Sequence, residues 1–360
     1  MKRNRITLIG LIILFSMLGF YFTSSPDEQA ASEAETNAPI AQTGSSAPKP
    51  VQSVLVYSAA YNVDLGGLES FHSFDAHKYQ KIHQQLVDDK IVNRDAILEP
   101  EEISEKDLLR IHTPEYLKSL LDPLKLREYF ETPVASLIPP NLIDQFVLKP
   151  FRTATGGTLL AARQALEQGI AINLGGGYHH AKPDKGEGFC IYADMPIAVR
   201  VLQAEGKIKT ALIIDLDAHQ GNGTIVCLPE DESTFCFSLH QGDIYPIPKE
   251  QGDWDIELAR GTGDREYLEL LAQRLNEVFD KAKHPDIVIY QAGCDTLRTD
   301  PLADLNMTSE GIVKRDLMVI QACIDRNIPV VMTLGGGYSE NAWKVQYESV
   351  KAIIKKYPTK

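Results

Sequence analysis

The stretch Ala211-Leu212-Ile213-Ile214-Asp215-Leu216-Asp217-Ala218-His219-Gln220-Gly221-Asn222-Gly223 passes from hydrocarbon to acid, imidazole and glycine within a few residues. A short unbroken apolar run with polar punctuation behind it predicts a strand buried on both faces. Three more runs share this form. Residues 170–174 lead into Gly175-Gly176-Gly177-Tyr178-His179-His180, residues 287–290 into Gln291-Ala292-Gly293-Cys294-Asp295, and residues 329–334 into Gly335-Gly336-Gly337-Tyr338. Helical patterns over 153–168, 264–282 and 308–326 stand before or after them. Short strands alternating with longer helices predict an α/β domain built on a mainly parallel sheet. In such sheets the ligand site lies beyond the carboxyl ends of the strands. Four strand ends that each join glycine to a chemically able side chain predict a built site there.

The side chains suggest which chemistry. Asp217 and His219 are two apart, so in extended chain they face one side. A carboxylate and an imidazole so placed can bind a metal, and Asp295 could supply a third ligand. Spacing alone leaves a hydrogen-bonded Asp–His pair equally open. His179 and His180 adjoin a glycine-rich turn that could bring both to one cavity. Neutral histidine is the usual general base near pH 7. Tyr338 follows three glycines and could donate to an oxyanion; as a lone tyrosine it would equally be core. The chain contains no GxxxxGK[ST], GxGxxG or GxSxG pattern, which weakens nucleotide-binding and serine-hydrolase readings.

Bulk properties narrow the class. The 360 residues are 44% hydrophobic, ample for a large core, and carry a formal net charge of -13. No basic stretch follows the first few residues, so direct nucleic-acid binding is not expected. Five cysteines (Cys190, Cys227, Cys236, Cys294 and Cys323) form no CxxC pair, which predicts buried free thiols. Lys2, Arg3 and Arg5 precede an uncharged run over 6–22, so residues 1–25 read as a signal or a membrane anchor. Residues 26–50, rich in Ala, Ser, Pro, Thr and Glu, read as a flexible linker. The basic N-terminus would stay in the cytoplasm and the body, 51–360, would lie outside it, whether anchored or secreted. No internal repeat or second linker divides that body, so it reads as one domain.

Taken together, GGGYHHA, the GFC of Gly188–Cys190, DLDAHQGNG, AGCD and GGGY resemble the histone deacetylase and acetylpolyamine amidohydrolase superfamily, in the family's own order. The form of DLDAHQGNG is closer to the class IV histone deacetylases. Segments 56–79, 148–158, 261–268 and 311–316 are also similar, so the resemblance runs from about 54 to 343. It implies a single α/β domain around an eight-stranded parallel sheet that hydrolyses acyl amides, acyl-lysine first among them. It implies one zinc ion on Asp217, His219 and Asp295. His180 would be base and then acid, His179 its charge-stabilising neighbour, and Tyr338 the group that polarises the carbonyl. Asp215 would buttress His179 and help hold a monovalent cation such as potassium. Gly188 and Phe189 would line a substrate tunnel with Tyr245 opposite. Asn222 stands where many members carry aspartate, which implies a lower proton affinity for His180. Acetyl-lysine, longer fatty-acyl-lysine and acylpolyamines all remain as substrates, and an inactive binder of acylated ligands as the non-enzymatic alternative.

Overall fold

A computed structural model describes residues 51–229 and 232–359. The signal or anchor over 1–25 and the linker over 26–50 lie outside the described residues. Among those described, no helix is long and apolar enough to cross a membrane. The body carries one eight-stranded sheet, parallel throughout: β1 (Gln52–Val56), β2 (Ile97–Leu98), β3 (Gly169–Asn173), β4 (Ala211–Asp215), β5 (Thr234–Gln241), β6 (Trp254–Leu258), β7 (Ile287–Gln291) and β8 (Val330–Thr333). Their lateral order is β2-β1-β3-β8-β7-β4-β5-β6. The four strands singled out above are therefore neighbours at the centre.

Each central strand is apolar on both faces because both faces are covered. Ile170, Ile172, Leu212, Ile214, Val288, Tyr290, Val330 and Met332 point into one buried layer, and the residues between them, such as Ala171, Ile213, Ile289 and Val331, into the other. The first layer packs against helices Lys78–Asp88, Asp264–Lys281, Ser309–Ile324 and Ala342–Lys356. The second packs against Lys149–Gln168 and Asp194–Ala204. A strand covered on both sides has no solvent face to encode, so its sequence runs apolar without alternation.

The even alternation of strand and helix fails between β5 and β6, which no helix separates, and over a longer stretch after β2. Between β2 and the Lys149–Gln168 helix the chain makes only short turns of helix. Proline begins four of them, at Pro114, Pro123, Pro133 and Pro140. Proline fits the first helical turn, where its missing N–H is not needed, and so starts helices repeatedly without letting one run long. This segment supplies Val134, Ala135, Ile138 and Val147 to the wall of a cavity beside the sheet's carboxyl edge.

Strand register sets a polar row at the sheet's carboxyl edge. Asn173 pairs with Thr333, Thr333 with Gln291, Gln291 with Asp215, and Asp215 with Ser238. Everything functional described below leaves the sheet from this row. All five cysteines are free and buried.

Candidate metal centre and active site

Asp217 and His219 do not sit in the strand. They lie in the loop after β4, where Asp217 accepts the His219 backbone N–H at 3.0 Å. The two side chains converge through this turn and not through strand pleating. Asp295 arrives from the loop after β7, and His219 Nδ1 lies 3.2 Å from Asp217 Oδ1 and 2.9 Å from Asp295 Oδ2. All three residues are buried, and their ligand atoms lie within 4.8 Å of one another. Each carboxylate spends its other oxygen on fixed donors. Asp217 Oδ2 takes Gln291 Nε2 and the Gly336 N–H, both at 3.0 Å, and Asp295 Oδ1 takes the Ala218 N–H at 2.8 Å. The inner oxygens thus converge on His219 Nδ1, and two carboxylates held so close call for a cation or a proton between them.

The donor set fits a metal ion. Burial opposes a charge on His219, yet the two carboxylates push its proton affinity up to about 10. A pocket that holds a proton so firmly is built for positive charge. An imidazole and two carboxylates suit a transition metal and leave room for a fourth ligand.

Glycine is required where the loops close on these ligands. A Cβ on Gly293 would lie 1.9 Å from Asp217 Oδ2. Arg315, fully buried, then ties the two ligand loops together. It donates to the Leu216 and Gly293 carbonyls at 3.0 and 2.8 Å and to the Ala292 carbonyl at 3.2 Å, with Asp316 beside it. Truncating Arg315 would strand these carbonyls in a dry interior.

The loop after β3 brings the two histidines together, ring centroids 4.0 Å apart. Asp194 holds this loop by accepting the Gly177 and Tyr178 N–H groups, both at 2.8 Å. The histidines then diverge in charge. Burial works against an imidazolium at His179, but Asp215 at 2.8 Å and Asp217 overcome it and hold its pKa at about 9. Burial, then the neighbouring His179 and His219, keep His180 well below the ordinary histidine range. Two adjacent titratable groups driven apart are the mark of assigned acid–base roles.

His180 Nδ1 lies 2.7 Å from Asn222 Oδ1. Behind Asn222 stands Glu187, whose Oε1 accepts from Asn222 Nδ2 at 2.8 Å and from the Tyr245 hydroxyl at 2.6 Å. The Tyr245 ring meets His180 edge-on, centroids 5.0 Å apart. Gly188 and Phe189 both have positive φ, and a Cβ on Gly188 would strike the His180 ring at 2.4 Å. Tyr338 stands across from them, its ring 5.8 Å from Phe189 and 6.4 Å from His219. Its backbone N–H is held by Asp300 Oδ2 at 2.7 Å. Lys78, also buried, donates to the Gly335 and Gly336 carbonyls of the same loop at 2.7 and 3.2 Å.

The structure thus gathers every residue singled out from the sequence into one place. The sequence reading missed Lys78, Glu187, Asp194, Asp300 and Arg315. Arg315 and Lys78 left a signal, since each is a cation on the otherwise buried face of its helix.

A cavity opens beside this centre. Its lining includes His180, Phe189, Tyr338 and Gly177 together with apolar side chains such as Ile138 and Phe151.

Comparison with known proteins gives the family. A family model described as the histone deacetylase domain matches residues 72–354. The chain belongs to the histone deacetylase family. It is 37% identical to Histone deacetylase 2 of Arabidopsis thaliana over 302 residues, 83% of this chain and 78% of that one. It is 32% identical to a probable deacetylase of Archaeoglobus fulgidus over 263 residues, 68% and 70% of the two chains. The crystal structure of the HDA15 HD domain superposes with a TM-score of 0.68 at 22% identity, covering 85% of this chain and 91% of that one, and shows the shared fold. As a histone deacetylase family member, the chain is a hydrolase of acyl amides with a metal-fitting Asp-His-Asp cluster at its centre.

Proposed function

We propose that the chain removes acyl groups from lysine side chains, with zinc as its metal and with acyl chains longer than acetyl as its better substrates. The observation that carries this reading is the cavity, whose lining joins His180 and Tyr338 to an apolar wall that includes Ile138, Val147 and Phe151. Asp217, His219 and Asp295 would hold the zinc ion, which when bound supplies Lewis-acid polarisation of the carbonyl and a more acidic water. His180, neutral and with Nε2 free of Asn222, takes the proton of the attacking water and returns it to the departing amine. His179, kept cationic by Asp215, steadies the negative charge that develops beside it. The Tyr338 hydroxyl donates to the carbonyl oxygen as that oxygen gains charge. Gly188, Phe189 and Tyr245 hold the lysine arm and keep water from it.

Acyl length follows from area. An acetyl group offers this cavity one methyl, whereas a myristoyl chain offers a dozen more carbons. Burying only about four of them at roughly 0.8 kcal/mol each is worth about 3 kcal/mol, or on the order of 10² in kcat/KM. Lysine-release assays on peptides from acetyl to myristoyl should rise by that factor along the series and stop on chelation. A flat or falling series would assign the apolar wall no part in catalysis.

The closer likeness to class IV members and a monovalent cation beside Asp215 belong to the same proposal. So do a signal or anchor over 1–25, the linker over 26–50 and a body outside the cytoplasm. Protease added to cells, with the outer membrane permeabilised where there is one, should digest the body, and full protection would place it in the cytoplasm.

A further inference from the structure

The roles assigned so far leave one carboxylate at the centre without a task. Glu187 is mostly buried, its side chain 16% exposed, and it opens the turn that ends at Cys190. Its Oε1 is shared by Asn222 Nδ2 and the Tyr245 hydroxyl, and its Oε2 lies 3.2 Å from Lys185 Nζ and 3.7 Å from Lys182 Nζ. We propose that Glu187 is a positioning residue: it fixes the amide of Asn222 so that the oxygen, and not the nitrogen, faces His180. The proposal rests on the reading of His180 as the general base.

An asparagine amide has two ends of nearly equal size and opposite function. One end accepts hydrogen bonds and the other donates them. Nothing in the shape of the site decides which end faces the histidine. Glu187 decides it by chemistry, because an ionised carboxylate only accepts and can bind only the NH₂ end. The amide oxygen is then left for His180 Nδ1, 2.7 Å away. An oxygen there requires the ring proton on Nδ1, which leaves the Nε2 lone pair free to act as a base. With the amide reversed, the NH₂ group would donate to Nδ1, the ring proton would move to Nε2, and the base would be blocked. Glu187 stays ionised for this role. Its burial favours the neutral acid, but the hydrogen bonds from Tyr245 and Asn222 and the two lysines hold its pKa below the ordinary range.

The demand for Glu187 comes from the asparagine. An aspartate at 222 would present an acceptor whichever way it turned and would need no partner to orient it. Glu187 and Asn222 therefore form one unit, and the unit makes a sharp prediction about coupling.

The test is steady-state kinetics of the metal-loaded full chain on an acyl-lysine peptide, with metal content and melting temperature recorded for each variant. Glu187→Ala should lower kcat by about 10–100-fold, as loss of an outer hydrogen-bond partner commonly does, with KM little changed. Glu187→Gln keeps an acceptor oxygen but can also turn its NH₂ group inward, so it should recover only part of the loss. In an Asn222→Asp background, Glu187→Ala should cost nothing or raise kcat by removing a facing carboxylate. Should Glu187→Ala not fold, Glu187→Met, of similar length and without a strong acceptor, takes its place. Equal losses in the wild-type and Asn222→Asp backgrounds would overturn the proposal. So would no loss at all on removing Glu187. His180→Ala separates the two levels of inference. If that variant still turns over, the base reading itself fails. If it is dead while Glu187→Ala is unimpaired, only the positioning role fails.

Discussion

Asp217→Ala is expected to lose the metal and the reaction together, with turnover down by at least about 10³-fold. The bound ion supplies carbonyl polarisation and water activation worth several kcal/mol, and each roughly 1.4 kcal/mol is tenfold in rate. Asp217 is the ligand whose removal should do most damage. Its Oδ1 faces His219, while its Oδ2 anchors Gln291 Nε2 at the end of β7 and the Gly336 N–H in the loop after β8. Without it only His219 and Asp295 remain of the three-residue cluster. Two stability effects oppose each other. The stranded donors cost about 1–3 kcal/mol each, and the metal-free protein is relieved of one of two facing carboxylates. Metal analysis and a thermal melt with and without chelator distinguish loss of metal from loss of fold. A bound ion stabilises the native state by mass action, so chelation should lower the wild-type melting temperature and leave that of Asp217→Ala unmoved. A variant that keeps a full equivalent of metal and normal turnover would remove Asp217 from the centre.

Tyr338→Phe should cost about 10²–10³ in kcat, the usual effect of deleting one oxyanion donor. Burial, followed by the nearby Asp217 and Asp295, holds the hydroxyl far above the ordinary tyrosine range, so it remains an O–H donor at any working pH. Phenylalanine keeps the ring, and with it the edge contacts to Phe74, Phe189 and His219. The Asp300 contact is made by the backbone and survives as well. Metal content and melting temperature should therefore match wild type, and the loss should fall on kcat more than on KM. Near-normal kcat would exclude the hydroxyl from the chemistry.

The sheet was legible in the sequence for a simple reason. Residues 211–215 and 287–291 form strands buried on both faces, and such strands run apolar, without alternation, up to the polar residue that closes each. The candidate site was legible because its polar side chains and glycines occupy the turns directly after these strands, where local sequence carries the information. The short turns over 99–148 were not legible as a cavity wall. Their apolar residues acquire a common face only after the chain has folded over the site.

By itself, then, the sequence determined which strands form the centre and which side chains stand at their ends: Asp217, His219, Asp295, His179, His180 and Tyr338. Those are properties of contiguous segments. Only the tertiary structure decided what surrounds them. Arg315 reaches back across more than ninety residues to the Leu216 carbonyl. Lys78 reaches forward more than two hundred and fifty to Gly335. Glu187 meets Asn222 and Tyr245 from separate loops. A buried charge or amide takes its function from the partner that satisfies it, and at these distances along the chain only the fold selects that partner.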